Sequence, residues 1–173
     1  MSEKRKVVVT GLGLATPLGL DVDENWEKAL AGISGISRLA YPNSEKSPVR
    51  AVGEIKENYW EKIKEEFQKD ASREGERRNL SALWAARSAL NDAHIDNHVN
   101  NRNRWGVVFA AGLGINRLED IHEYMNRNGQ FDFVRFGKEY KKVHKESLIR
   151  NNSNRAAALI ANKFGLHGMN STI

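Results

Sequence analysis

Residues 6–19 read KVVVTGLGLATPLG, three consecutive β-branched residues followed by a turn holding three glycines and a proline. Val7, Val8 and Val9 show no polar alternation, so the run predicts an interior strand covered on both faces. Gly11 and Gly13 permit close backbone approaches that a Cβ forbids, and Thr16-Pro17-Leu18-Gly19 forces a change of direction before any helix can begin. A second run, Gly106-Val107-Val108-Phe109-Ala110-Ala111, is nearly all apolar and again empties into a glycine turn, Gly112-Leu113-Gly114. Two such strands separated by helices predict a layered α/β fold rather than a bundle or a sandwich.

The intervening segments carry recognisable helix signals. Asp21-Val22-Asp23-Glu24 has the spacing of a capping residue with an acid three positions later, and it predicts a helix over 22–31 ended by Gly32. Val22, Trp26 and Leu30 fall on one face of that helix, so the Trp26 indole is read as core. Residues 33–48, rich in Ser, Gly and Pro, predict a surface loop, and 49–55 a short strand. Residues 56–78 are dense in charge, yet Trp60, Ile63 and Phe67 mark a narrow apolar face, which predicts a short exposed helix and a loop at Gly75.

The clearest helix covers 77–95, where Leu80, Leu83, Ala86, Leu90 and Ala93 recur at spacings of three and four. Arg87 projects from the same side and must carry its guanidinium to water or to a buried acceptor. Residues 116–126 predict a helix with Leu118, Ile121, His122 and Met125 on one side. Residues 129–145 mix aromatic and basic residues without a clean period. A small-residue helix is predicted over 155–164, capped by Ser153 or Asn154 and stopped by Gly165. Residues 170–173 read as the start of a further strand.

Composition narrows the function classes. At 173 residues, 40% of them hydrophobic, the chain can bury a sizeable core, and its length suggests one domain. The 27 Lys and Arg against 22 Asp and Glu give a net charge of +5, which favours acidic partners. The bases are scattered among acids, so a nucleic-acid footprint is not predicted. With no cysteine, these residues supply no disulfide, thiolate nucleophile or Cys-containing zinc site. No apolar run approaches membrane-spanning length, so no membrane association is expected and the chain is read as cytoplasmic and soluble.

Local motifs add little chemistry. Gly11-x-Gly13-x-x-Thr16 is half of a dinucleotide fingerprint, but Thr16 stands where a third glycine is needed, Pro17 intervenes and the helix begins too late; it is read as a structural turn. His94 and His98 have helical spacing but no identifiable third ligand, and His122-Glu123 lacks the second histidine of a zinc protease helix. No metal and no cofactor is predicted. Arg73, Arg77 and Arg78 form a small basic group at the start of the long helix. Bases there oppose the helix dipole by about a few tenths of a kcal/mol unless water or an anionic partner compensates.

Taken in order, VVVTGLGLATPLG, DENWEKALAGISGI, GVVFAAGLG and RAAALIANKFGLHG resemble the amino-terminal portion of a β-ketoacyl-acyl carrier protein synthase. The resemblance runs over nearly the whole chain, with 40–70 and 129–150 matching poorly. It implies the N-terminal part of a thiolase-like layered αβαβα fold and, usually, a homodimer. It also implies decarboxylative Claisen condensation, in which an acyl group held on a cysteine is extended by a malonyl unit carried on an acyl carrier protein. In that family the nucleophilic cysteine follows the strand that residues 170–173 begin, and two histidines and a lysine come later still. Residues 1–173 are therefore expected to be an incomplete ketosynthase region ending before the cysteine, inactive alone. His94, His98, His122, His144 and His167 take none of those roles. Leu113 matches the position of an apolar residue that gates the acyl pocket, and Arg77 and Arg78 match basic positions that dock the acidic carrier protein. Met169 stands where a proline is common. The alternative is a non-catalytic interaction protein or partner subunit of a ketosynthase system.

Overall fold

A computed structural model describes residues 6–40, 44–74, 76–95, 101–112, 122–142, 149 and 152–173. The chain divides into two compact units, residues 1–68 with 80–100, and residues 69–79 with 101–173. Among the described residues no helix is long and apolar enough to cross a membrane.

In the first unit, helix α1 (Val22–Leu30) starts as its sequence dictates. The Asp21 side chain accepts from the Glu24 N–H at 2.7 Å, and Gly32, with φ +69°, follows the last turn. Glu24 in turn accepts from the Leu20 N–H at 3.2 Å, so the acid at the third helical position does reach back to the preceding loop. Residues predicted as loop contain strand β1 (Ile36–Arg38), which pairs antiparallel with β2 (Ala51–Gly53); the Ser-Gly-Pro composition marks the ends of this ribbon rather than all of it. Helix α2 (Glu57–Glu66) buries Tyr59, Trp60 and Ile63, and Phe67 follows them into the core with Leu20, Leu80 and Leu83. Charge density thus concealed a well-buried face, wider by Tyr59 than the pattern predicted.

Two expectations about this unit are corrected. Val7, Val8 and Val9 form no strand and stand exposed, Val7 at 95%. Three β-branched residues favour extended backbone, but a ladder needs a neighbour, and among the described residues no strand pairs with them. Trp26 is 63% exposed and Leu30 is also exposed, while the polar Asn25 is the buried residue of the helix. Asn25 is drawn inward by hydrogen bonding: its amide donates to the Asp21 carbonyl at 2.7 Å and its Oδ1 receives the Thr16 hydroxyl.

The glycine-rich segment lies along the flank of helix α4 (Arg77–Asp92), the element after helix α3 (Gln68–Glu74). A Cβ on Gly11 would collide with the Ala89 carbonyl and stand 2.6 Å from the Ala93 nitrogen; one on Gly13 would strike the Ala85 carbonyl and approach the Ala89 nitrogen to 2.6 Å. Ala85, Ala89 and Ala93 recur every four residues, forming the small-residue stripe that admits this backbone. Helix α4 spans Arg77–Asp92, three residues shorter than predicted, and His94 beyond it takes a positive φ of 52°. Arg87 finds an acceptor in Glu66, and both line a cavity of about 180 Å³ with Trp84, Ser88 and Asn91.

In the second unit, strands β3 (Val107–Phe109) and β4 (Asn170–Thr172) form a parallel pair, with Val107, Val108 and Phe109 opposite Asn170, Ser171 and Thr172. Helix Arg155–Phe164 lies in the crossover between them and packs on both strands through a face that buries Ala156, Ala157, Leu159 and Ile160. Gly165, at φ +62°, ends it. Neither Ser153 nor Asn154 caps it through a side chain: Asn154 has helical dihedrals, and its Oδ1 is taken by the Thr172 hydroxyl at 2.7 Å. Gly106 and Gly168 let the two strands begin side by side, because a Cβ on Gly168 would lie 2.7 Å from the Trp105 carbonyl carbon.

Residues 129–145 hold a helix that the sequence pattern did not reveal, Phe133–Glu139, continued as a 3₁₀ turn over Tyr140–Lys142. It is organised by an aromatic cluster rather than by a long apolar stripe. Tyr124 meets Phe136 edge-on at 5.1 Å, and Phe131 lies 5.3 Å from Phe136. Of the helix predicted over 116–126, Leu118 and Ile121 lie outside the described residues, and Met125 instead bridges to Phe131 as extended backbone.

Candidate functional site

Ligand sites of parallel α/β sheets form at the carboxyl ends of the strands. The carboxyl ends of β3 and β4 stay zipped beyond the ladder: Ile173 donates to the Phe109 carbonyl at 2.9 Å and Ala111 to the Ile173 carbonyl at 3.1 Å. Gly112 follows at once, and the first turn of helix α4 reaches this point through Arg78, whose Nη1 donates to the Gly112 carbonyl at 3.3 Å.

The basic turn itself is shaped by an acid just ahead of it. No acidic residue lies in the first turn of helix α4, but Glu76 just before it accepts from the Arg78 N–H at 3.2 Å and offsets the unfavourable charge at the helix start. Arg77 is exposed, whereas Arg78 is half-buried, with Nε and Nη2 inaccessible and without a hydrogen-bond acceptor among the described residues. Leu113, the expected gate residue, lies outside the described residues.

Behind this turn, helix α3 (Gln68–Glu74) is pinned to helix Arg155–Phe164 by two ion pairs. Lys163 reaches Asp70 at 2.7 Å, and Arg155 grips Glu74 through Nη2 and, at 3.1 Å, through Nε. The Glu74 carboxylate is buried, and the Asn79 amide also donates to it at 3.3 Å. One signal for this network was present in the sequence: Arg155 opens its helix, where a base is unfavourable unless an acid meets it. Among the described residues no group of three or more His, Cys, Asp or Glu is placed to hold a metal ion.

The described residues thus bring together the parallel β3–β4 pair, its crossover helix, Gly112 at the carboxyl end of β3 and a basic helix start. The sequence matches the family described as Beta-ketoacyl synthase, N-terminal domain, over residues 4–173. It is 35% identical over 130 residues to 3-oxoacyl-acyl-carrier-protein synthase 2 of Staphylococcus aureus (strain COL), covering 75% of this chain and 31% of that protein. It is 32% identical over 176 residues to a putative mitochondrial 3-oxoacyl-acyl-carrier-protein synthase of Schizosaccharomyces pombe, covering 97% of this chain and 38% of that protein. Among solved structures, a type II PKS acyl-carrier protein in complex with its ketosynthase bound to the hexaketide gives a TM-score of 0.66 at 23% identity, covering 99% of this chain and 38% of that one. The chain belongs to the β-ketoacyl synthase family, to whose N-terminal domain it corresponds. Its fold resembles that of solved ketosynthases over nearly the whole chain, as the sequence resemblance implied, with TM-scores of 0.62 and 0.66. The chain spans roughly a third of the length of the relatives it matches.

Proposed function

We propose that this chain is the N-terminal portion of a 3-oxoacyl-acyl carrier protein synthase. In the condensation, the malonyl unit loses CO₂, its C2 attacks the carbonyl of an enzyme-bound acyl thioester, and the cysteine thiolate leaves. The observation that carries this reading is the family match over residues 4–173, with the parallel β3–β4 pair inside it. The 173 residues contain no cysteine, so the nucleophile is not supplied by them and the chain alone does not condense. The basic turn Arg77–Arg78 docks the acidic carrier protein, Leu113 borders the acyl pocket, and the working protein is a cytoplasmic homodimer.

The test incubates the 173-residue chain, and separately any longer product of its reading frame, with acyl- and malonyl-acyl carrier protein. Mass spectrometry of the carrier then reads the 3-oxoacyl product. Product from the longer protein alone is expected; product from the 173-residue chain overturns the reading. A second reading is a non-catalytic partner subunit of a ketosynthase system. It predicts that the chain restores condensation when mixed with a cysteine-bearing ketosynthase chain that is inactive without it.

A further inference from the structure

Arg77 and Arg78 are adjacent, equally basic and matched to the same docking role, yet the structure treats them differently. The Arg77 side chain is exposed, whereas the Arg78 guanidinium turns inward, with Nη1 on the Gly112 carbonyl and Nε and Nη2 closed off from solvent. A guanidinium is a rigid fork of five N–H donors, so fixing one nitrogen on a carbonyl fixes the plane of the others. A charge held in this way is poorly placed to meet a partner at the surface. It is well placed to hold a turn.

The Gly112 carbonyl is one residue beyond Ala111, whose N–H closes the last hydrogen bond between the β3 and β4 ends. A Cβ at Gly112 would meet nothing within 4 Å among the described residues, so packing among them does little to fix this residue. Among the described residues, Arg78 is the side chain that donates to the Gly112 carbonyl and so fixes it by hydrogen bonding. We propose that Arg78 is a positioning residue that holds the carboxyl end of β3 through Gly112, while Arg77 carries the surface charge of the basic turn. The assignment to Arg77 rests on the docking reading above; the assignment to Arg78 does not.

Hydrogen exchange on the 173-residue chain tests the first half without any carrier or activity. Loss of a hydrogen bond from a charged donor is expected to speed exchange of the Ala111 amide by about tenfold in Arg78→Met. In Arg77→Ala it stays within about twofold of the parent rate. The Ala158 amide, which donates to the Asn154 carbonyl in the crossover helix, is the internal reference for general loosening and stays unchanged in both. Arg78→Lys keeps the charge without the fork and leaves Ala111 fast. An unchanged Ala111 rate in Arg78→Met overturns the positioning role, as does equal acceleration by Arg77→Ala or parallel acceleration at Ala158. Titration with acyl carrier protein addresses the second half: Arg77→Ala weakens binding and Arg78→Lys retains it, whereas greater weakening by Arg78→Lys overturns the division of labour. If the parent chain binds no carrier, the docking reading fails while the exchange result still decides the role of Arg78.

Discussion

Replacing Arg155 by Met removes the cation that meets the most buried carboxylate among the described residues of the second unit. Glu74 is 2% exposed and takes two nitrogens of Arg155 as well as the Asn79 amide. Removing one partner of a buried pair costs about 3–5 kcal/mol because the remaining charge stays desolvated. The Arg155 side chain is 24% exposed, so water reaches one side of the pair and the lower end of that range applies, about 3 kcal/mol. At about 2–4 °C per kcal/mol for a chain of this size, Arg155→Met should lower the melting temperature by about 6–12 °C. The double variant Glu74→Gln/Arg155→Met removes both charges but keeps an acceptor for Asn79, and it should recover to within about 1 kcal/mol of the parent. Urea unfolding of the parent, both single variants and the double variant gives the coupling directly. A single-variant loss below about 1 kcal/mol, or a double variant no more stable than Arg155→Met, would refute the claim that this pair holds helix α3 against the crossover helix.

Two further outcomes follow from the first unit. Gly13→Ala places a methyl against the Ala85 carbonyl, 2.6 Å from the Ala89 nitrogen and 2.9 Å from the Ser88 Cβ, and should cost about 1–3 kcal/mol in urea unfolding, with an unchanged midpoint contradicting the close approach. The Glu24 carboxyl is held down to about 2 from its ordinary 4.5, chiefly by the hydrogen bond from Lys28 and then by that from Tyr59. Because the folded value is the lower one, its contribution is complete above pH 4.5 and disappears as pH falls from 4.5 toward 2. Circular dichroism across that window should show a shallower acid destabilisation in Glu24→Gln than in the parent, and identical slopes would remove Glu24 from the acid response.

What the sequence disclosed depended on how local the cause was. Caps, stop residues and helical periodicity are set within a few residues, so the Asp21 cap, the helix from Arg77 and the stop at Gly165 were all legible. The parallel partners Val107–Phe109 and Asn170–Thr172 were each readable as strands, although their pairing was not. Failures arose where a distant partner decides the outcome. Val7–Val9 specify extension but cannot specify a neighbour, and Trp26 yields the interior to Asn25 because Thr16 and Asp21 satisfy the amide. The helix over Phe133–Glu139 was hidden because its order comes from Tyr124 and Phe131, residues outside the helix itself.

The same distinction governs the candidate site. The glycine turn and the basic pair were visible as residue types, and the resemblance implied one and the same docking role for Arg77 and Arg78. Their surroundings separate them: Arg78 reaches the backbone carbonyl of Gly112, 34 positions away in sequence, and is the more enclosed of the two. That separation has a mechanical consequence: Arg78 ties the turn that begins helix α4 to the carboxyl end of β3, and Glu74, held by Arg155, takes the Asn79 amide from the far side of that turn. A load applied at Arg77 therefore meets a turn braced from behind and linked forward to Gly112. Weakening the brace with Arg155→Met should loosen Ala111 as well as lower stability, whereas Lys163→Met, which removes a more exposed ion pair with Asp70, should lower stability slightly and leave the Ala111 amide as slow as in the parent.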